Sequence, residues 1–234
     1  MSKIILIETS TTLCSTALCI DGRIAAERES TEPRAHAAMT APFIKDMLDE
    51  CGLSVSDCDA VCVSAGPGSY TGLRVGSSTA KGLCFGASLP LISMGTLDIL
   101  VQQAVDDGLV PEGCRHIIPM IDARRMEVYT AVFSSRNGIF ERTTEVKPQV
   151  VEAGCFDAWL AEGPVLFIGD GAAKCSGILA HPNASFVQTN PRATAMMAGA
   201  VKAYEEKRFE NTAYFEPFYL KEFVATVSRK NLFQ

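Results

Sequence analysis

The 234-residue sequence predicts an α/β protein made of two copies of one unit, and three observations carry that reading. Two apolar runs end in an acid: Ile4-Ile5-Leu6-Ile7-Glu8, and Ile117-Ile118-Pro119-Met120-Ile121-Asp122. Each is followed by an alternating stretch and a hairpin signal, Ser15 to Ile20 before Asp21-Gly22 and Glu127 to Phe133 before Asn137-Gly138. Each copy then presents another apolar run ahead of a glycine turn, Val61-Cys62-Val63-Ser64 before Gly66 and Gly68, and Val165-Leu166-Phe167-Ile168 before Gly169-Asp170-Gly171. Repetition in this order describes a duplicated strand-strand-strand-helix-strand-helix unit.

In the first copy a helix is expected from Ala35 to Cys51, because Met39, Phe43, Met47 and Cys51 recur every fourth residue with Ile44 and Leu48 beside them. Pro42 falls inside this pattern and should kink it. A short buried strand spans Ala60 to Ser64, and a second helix opens at Thr71 and runs to Phe85. That helix carries Gly72, Gly76 and Ala80 at i, i+4 and i+8, a small-residue face that admits a second backbone. Both helices either cover their own sheet or present a face for association; periodicity alone does not choose.

For the second half, strands are expected at Ile117 to Asp122, Glu127 to Ser134 and Ile139 to Val146, then a helix opening at Pro148 and closed by Trp159. A strand at Val165 to Gly169, a short helix after Gly171 and a long helix from Arg192 to Lys207 complete the copy. Asp106 to Gly113 interrupts the hydrophobic period, which divides the chain into lobes 1–108 and 109–234.

Composition bounds the function. Apolar residues make up 47% of the chain, enough for one large core or two modest ones, and no stretch reads as a membrane span or a signal peptide, so a cytoplasmic protein with no membrane partner is expected. The nine cysteines are odd in number and never form a Cys-x-x-Cys pair, which favours buried free thiols. His36, His116 and His181 lack metal-ligand spacing, so no metal site is expected, and His36 is placed on a helix surface or a subunit contact. A net charge of −6 without a basic run opposes independent binding to a polyanion.

The segment Gly66-Pro67-Gly68-Ser69-Tyr70-Thr71 joins a strand to a helix through a turn that suits a phosphate or carboxylate, since free N–H groups at the helix start point back toward it. The plain alternative is a tight connection with no ligand. Two duplicated units across a cleft resemble the actin-like ATPase superfamily, the sugar kinase and heat-shock protein fold, with ribonuclease H-like units and here a reduced second lobe. In that superfamily the acid-ended hairpins carry glycines that let backbone approach nucleotide phosphates. Neither hairpin here does: the turns are Thr9-Ser10-Thr11-Thr12 and Ala123-Arg124-Arg125-Met126.

Glu8-Thr9-Ser10-Thr11 with Cys14-Ser15-Thr16-Ala17-Leu18, the eleven positions Gly66 to Gly76, Ile121-Asp122-Ala123-Arg124 with Glu127-Val128-Tyr129, and the tail Glu216-Pro217-Phe218-Tyr219-Leu220 together resemble the TsaB family over nearly the whole chain. One departure is Glu8, where that family commonly carries Asp. The resemblance implies a non-catalytic subunit of the complex that forms threonylcarbamoyladenosine beside the anticodon of tRNAs reading codons that begin with adenine. It implies pairing with a TsaD-like catalytic paralogue, a TsaE-like small ATPase as a further partner, a homodimer in isolation, and tRNA contact only through the complex. Pairing in that family uses the N-terminal helices, which marks His36, Met39, Phe43, Met47, Gly72, Gly76 and Ala80 as candidate interface residues. Candidate nucleotide or anion contacts are Glu8, Thr9, Gly66, Gly68, Ser69, Thr71, Arg74, Asp122, Gly169 and Gly171, with no cofactor required and ATP or ADP as the candidate ligand at the partner interface. Two other classes compete: a self-sufficient actin-like kinase or ATPase using Glu8, Asp122 and the Gly66 loop, and a metallopeptidase, the weaker because no His-Glu motif is present.

Overall fold

The computed structural model describes residues 2–220. The first sheet contains β1 (Lys3–Glu8), β2 (Cys14–Ile20), β3 (Arg23–Ser30), β4 (Ala60–Gly66) and β5 (Leu91–Gly95), in the order β3-β2-β1-β4-β5. The first three strands are antiparallel, while β4 and β5 run parallel to β1. The second sheet repeats the arrangement as β10-β7-β6-β11-β12, formed by β6 (His116–Asp122), β7 (Glu127–Thr130), β10 (Lys147–Val150), β11 (Val165–Ile168) and β12 (Ala184–Val187). An additional hairpin, β8 (Phe133–Arg136) and β9 (Ile139–Arg142), attaches to the start of β6. The two matching strand orders are the duplication expected from the acid-ended runs.

Several details of the second copy differ from expectation. Glu127 to Ser134 is not one strand: the chain breaks at Ala131-Val132, so β7 pairs with the end of β6 and β8 with its beginning. The Asn137-Gly138 turn, with φ of 52° and 82°, therefore joins β8 to β9 instead of leading to the third strand of the unit. The strand expected through Val146 stops at Arg142: the Thr143 N–H still bonds the Val132 carbonyl, but the Val132 N–H goes to the Thr144 hydroxyl instead of returning to the Thr143 carbonyl. Pro148 opens no helix; it lies in β10 opposite Tyr129, on the margin of the sheet where a missing N–H costs no ladder bond. Trp159 belongs instead to the short α4 (Asp157–Leu160), its ring 5.9 Å from that of Phe156. The long C-terminal helix divides into a 3-10 turn (Ala193–Met196) and α6 (Met197–Glu205).

The helices of the first half match expectation more closely. The first, α1 (Ala35–Glu50), continues unbroken through Pro42. The second, α2 (Tyr70–Ala87), begins one residue early, with Ser69 as N-cap accepting the Gly72 N–H. Ile44, Met47 and Leu48 of α1 and Ala80 and Cys84 of α2 bury one face of the first sheet on Ile5, Ile7, Leu18, Val61 and Val63.

The other face carries a crossover. Ile4, Leu6, Ala17, Cys19 and Cys62 pack against Met196, Ala200 and Ala203, so the helix that ends the second copy covers the first sheet. Conversely α3 (Thr96–Asp106), which ends the first copy, sets Leu97, Leu100, Val101 and Ala104 on Ile117, Ile121 and Ile168 of the second sheet. Each fully buried aliphatic side chain contributes about 1.5–3 kcal/mol, so these contacts tie the halves together strongly. Residues 221–234 of the expected second lobe lie outside the described residues. All nine cysteines are free thiols. Among the described residues, no helix is long and apolar enough to cross a membrane.

Candidate functional site

The two acid-ended strands bring their carboxylates to the cleft between the sheets. Glu8 is fully buried; its Oε1 accepts the Ser10 N–H at 2.6 Å, and Oε2 has no partner among the described residues. Burial pushes its carboxyl up to about 7, with hydrogen bonding from Ser10 and Ser64 pulling the other way and the negative charge of Asp170 adding to the rise. Asp170, which sequence reading passed over, lies between Gly169 and Gly171 and accepts the Asp122 N–H at 2.8 Å. Its carboxyl is raised to about 6, chiefly by burial, and neighbouring Asp122 contributes. An acid held between two turn glycines was the available signal. Asp122 itself is engaged: Lys174 Nζ bonds its Oδ1 and also the carbonyls of Arg125 and Glu127, while the Arg124 N–H donates to the same oxygen.

The glycines of the Gly66 loop approach the chain's own backbone. A Cβ at Gly68 would strike the Ser10 carbonyl oxygen, one at Gly72 the Thr9 carbonyl oxygen, and one at Gly76 the Thr9 hydroxyl. The Ser69 N–H donates to Ser10 O at 2.6 Å, and the Thr9 hydroxyl donates to Gly72 O at 2.9 Å. Thus the start of α2 clasps the β1–β2 turn. Gly66, at φ +100°, lies against Phe218 of the tail, whose N–H bonds Ala65 O. The glycines after β11 are likewise filled: Gly169, at φ +134°, faces Met120 O, and the Gly171 N–H bonds that carbonyl at 3.0 Å. Thr71 and Arg74 are exposed, and the Arg74 guanidinium sits 4.2 Å over the Tyr70 ring.

The candidate interface residues divide by burial. Phe43 and Met47 are core, Met39 is half-buried, and half-buried His36 holds its Nε2 3.2 Å from Leu13 O. Gly72, Gly76 and Ala80 are buried: Gly72 admits the Thr9 carbonyl, Gly76 the Thr9 side chain, and Ala80 packs in the core with Ile5, Val61 and Val63. The outward face of α1 and α2 includes exposed Ala37, Ala38, Ala41 and Pro42 with Ser78, Gly82 and Phe85, beside charged Lys45, Asp46 and Arg74; Phe85 is 89% exposed, and a Cβ on Gly82 would meet nothing within 4 Å outside its own helix. Sequence reading missed it because buried apolar residues dominate the periodicity.

The fold defines the class: a duplicated actin-like ATPase fold in which the start of α2 packs on the β1–β2 turn. A family model described as TsaD, tRNA N6-adenosine threonylcarbamoyltransferase, matches residues 26–227. The tRNA threonylcarbamoyladenosine biosynthesis protein TsaB of Escherichia coli (strain K12) is 32% identical over 95% of this chain and 96% of that protein. The protein of the same name from Haemophilus influenzae is 30% identical over 92% of each. A solved structure titled YeaZ from Pseudomonas aeruginosa superposes with a TM-score of 0.80 at 28% identity, covering 94% of this chain and all of that one. The chain belongs to the TsaB family.

Proposed function

We propose that this protein is a non-catalytic subunit in the formation of threonylcarbamoyladenosine on tRNAs that read codons beginning with adenine. It pairs with a larger catalytic paralogue of the TsaD type through the outer face of α1 and α2, holding that paralogue in its working geometry, and a small TsaE-type ATPase joins the pair. Alone it self-associates through the same face, and it meets tRNA only within the complex. The observation that carries this reading is the clasp of Gly68, Gly72 and Gly76 on the β1–β2 turn, which supports a cleft given over to structure. Lys174 on Asp122 supports it too, since a carboxylate so engaged is poorly free for phosphoryl chemistry. Exposed Phe85 between glycines is the kind of aromatic anchor that centres an interface.

The test is tRNA modification by the purified paralogue and small ATPase with and without this chain. Modification is expected to require it. Full modification in its absence would overturn the role, and steady ATP turnover by the isolated chain, lost in Glu8→Ala, would overturn its non-catalytic character.

A further inference from the structure

A cavity of about 700 Å³ opens between the halves, with the Gly66-Pro67 turn and the start of α3 on one side and the segment after β9 on the other. That volume is in the range of small-ligand sites. We infer that it binds a small zwitterion of the class of a free α-amino acid, its carboxylate on Arg142 and its ammonium between Asp98 and Glu145.

Three side chains bring charge to the cavity: two carboxylates, Asp98 and Glu145, and one guanidinium, Arg142. Asp98 and Arg142 stand 3.8 Å apart, too far for a hydrogen bond, so each keeps capacity for a ligand group. A Cβ on Gly95 would crowd the Asp98 carboxylate, and partial burial raises its carboxyl against the pull of Arg142, a cost that a ligand ammonium would relieve. The wall that carries Arg142 and Glu145 is built and held. The Thr143 hydroxyl donates to Val132 O at 3.1 Å, and the Thr144 hydroxyl accepts the Val132 N–H at 2.8 Å. Leu97, Val146 and Phe218 supply an apolar wall for a side chain. Two acids against one base repel a polyphosphate, whereas an amino acid offers a carboxylate to the guanidinium fork and an ammonium to the acids at the separation its own backbone sets. The inference does not rest on the proposed function.

The test is titration of the full chain with each proteinogenic L-amino acid, followed by amide NMR shifts. At least one is expected to saturate at up to millimolar concentration, with shifts concentrated at Gly66, Gly95, Thr143, Thr144 and Glu145. Asp98→Asn and Arg142→Gln should each weaken binding by about tenfold or more, and Val146→Trp should abolish it without changing charge. Should a variant fail to fold, blocked ligands decide on the unaltered protein: N-acetylation and amidation of the same amino acid should each remove binding. No response to any amino acid at millimolar concentration, equal binding of the blocked forms, or shifts of the same amides by ATP would overturn the inference.

Discussion

Gly72→Ala isolates the contact that closes the cleft. The added methyl meets the Thr9 carbonyl oxygen, a main-chain atom at the end of a core strand, so α2 and the β1–β2 turn must separate. Restoring ordinary contact takes a shift of about 1 Å, which also stretches the bond from the Thr9 hydroxyl to Gly72 O. Overpacking of this kind costs about 1–3 kcal/mol and the weakened hydrogen bond about 1 kcal/mol more. Replacing a helical glycine returns about 1 kcal/mol through propensity, leaving a net loss near ~2 kcal/mol. For a chain of this size that lowers the melting temperature by about 4–8 °C. Gly82→Ala on the same helix is the matched control: its added methyl meets nothing within 4 Å outside the helix, so the propensity gain remains and stability should rise. Thermal and urea unfolding of the two variants beside the parent measure the difference. Shifts of equal sign and size would refute the clasp. Bulk at Gly76 or Ala80 probes the same inward packing and is no test of association.

Burial of Glu8 makes stability depend on pH. Its ordinary value of 4.5 becomes about 7 in the fold, so the folded chain holds this proton more tightly than the unfolded one. The stability gained is complete below pH 4.5 and is lost as pH climbs toward 7, by about 3 kcal/mol. Glu8→Gln keeps an acceptor for the Ser10 N–H and should flatten the slope of urea midpoints over that window; Asp170 acts in the same sense up to about pH 6, so a slope unchanged in Glu8→Gln would show that other groups carry it. Phe85→Asp, on a side chain 89% exposed, should leave unfolding within about 0.5 kcal/mol of the parent yet weaken self-association and pairing with the paralogue, read by sedimentation. With a net charge of −6, the isolated chain should bind tRNA no tighter than a non-specific contact, roughly 10⁻⁴ to 10⁻⁶ M at physiological salt, and a tight sequence-selective titration would contradict this.

The duplication was legible because acid-ended apolar runs and glycine turns are local signals that recur in order. Pro148 misled because the same fixed φ that suits a helix start also suits an edge strand, and only the neighbour Tyr129 decides between them. The break at Ala131-Val132 was equally hidden, since both sides remain alternating and the change of partner along β6 is tertiary. At the site, the glycines of α2 announced close backbone approach, and the structure shows which backbone approaches. Nothing in the spacing of Asp98, Arg142 and Glu145 marks them as neighbours across one cavity, because the fold alone joins α3 to the segment after β9.

The exchange of closing helices between the sheets sets an order on synthesis. While the ribosome makes the chain, the Ile4, Leu6 and Ile92 face of the first sheet is covered only in part, by Ile99 of α3, until Met196 to Ala203 emerges, more than a hundred residues after β1. The first half, with one face of its sheet already packed under α1 and α2, meanwhile carries bare apolar surface on the other, a state open to aggregation or chaperone capture. Full cover of the first sheet therefore waits on the docking of α6, while α3 is already made when the second sheet forms over it.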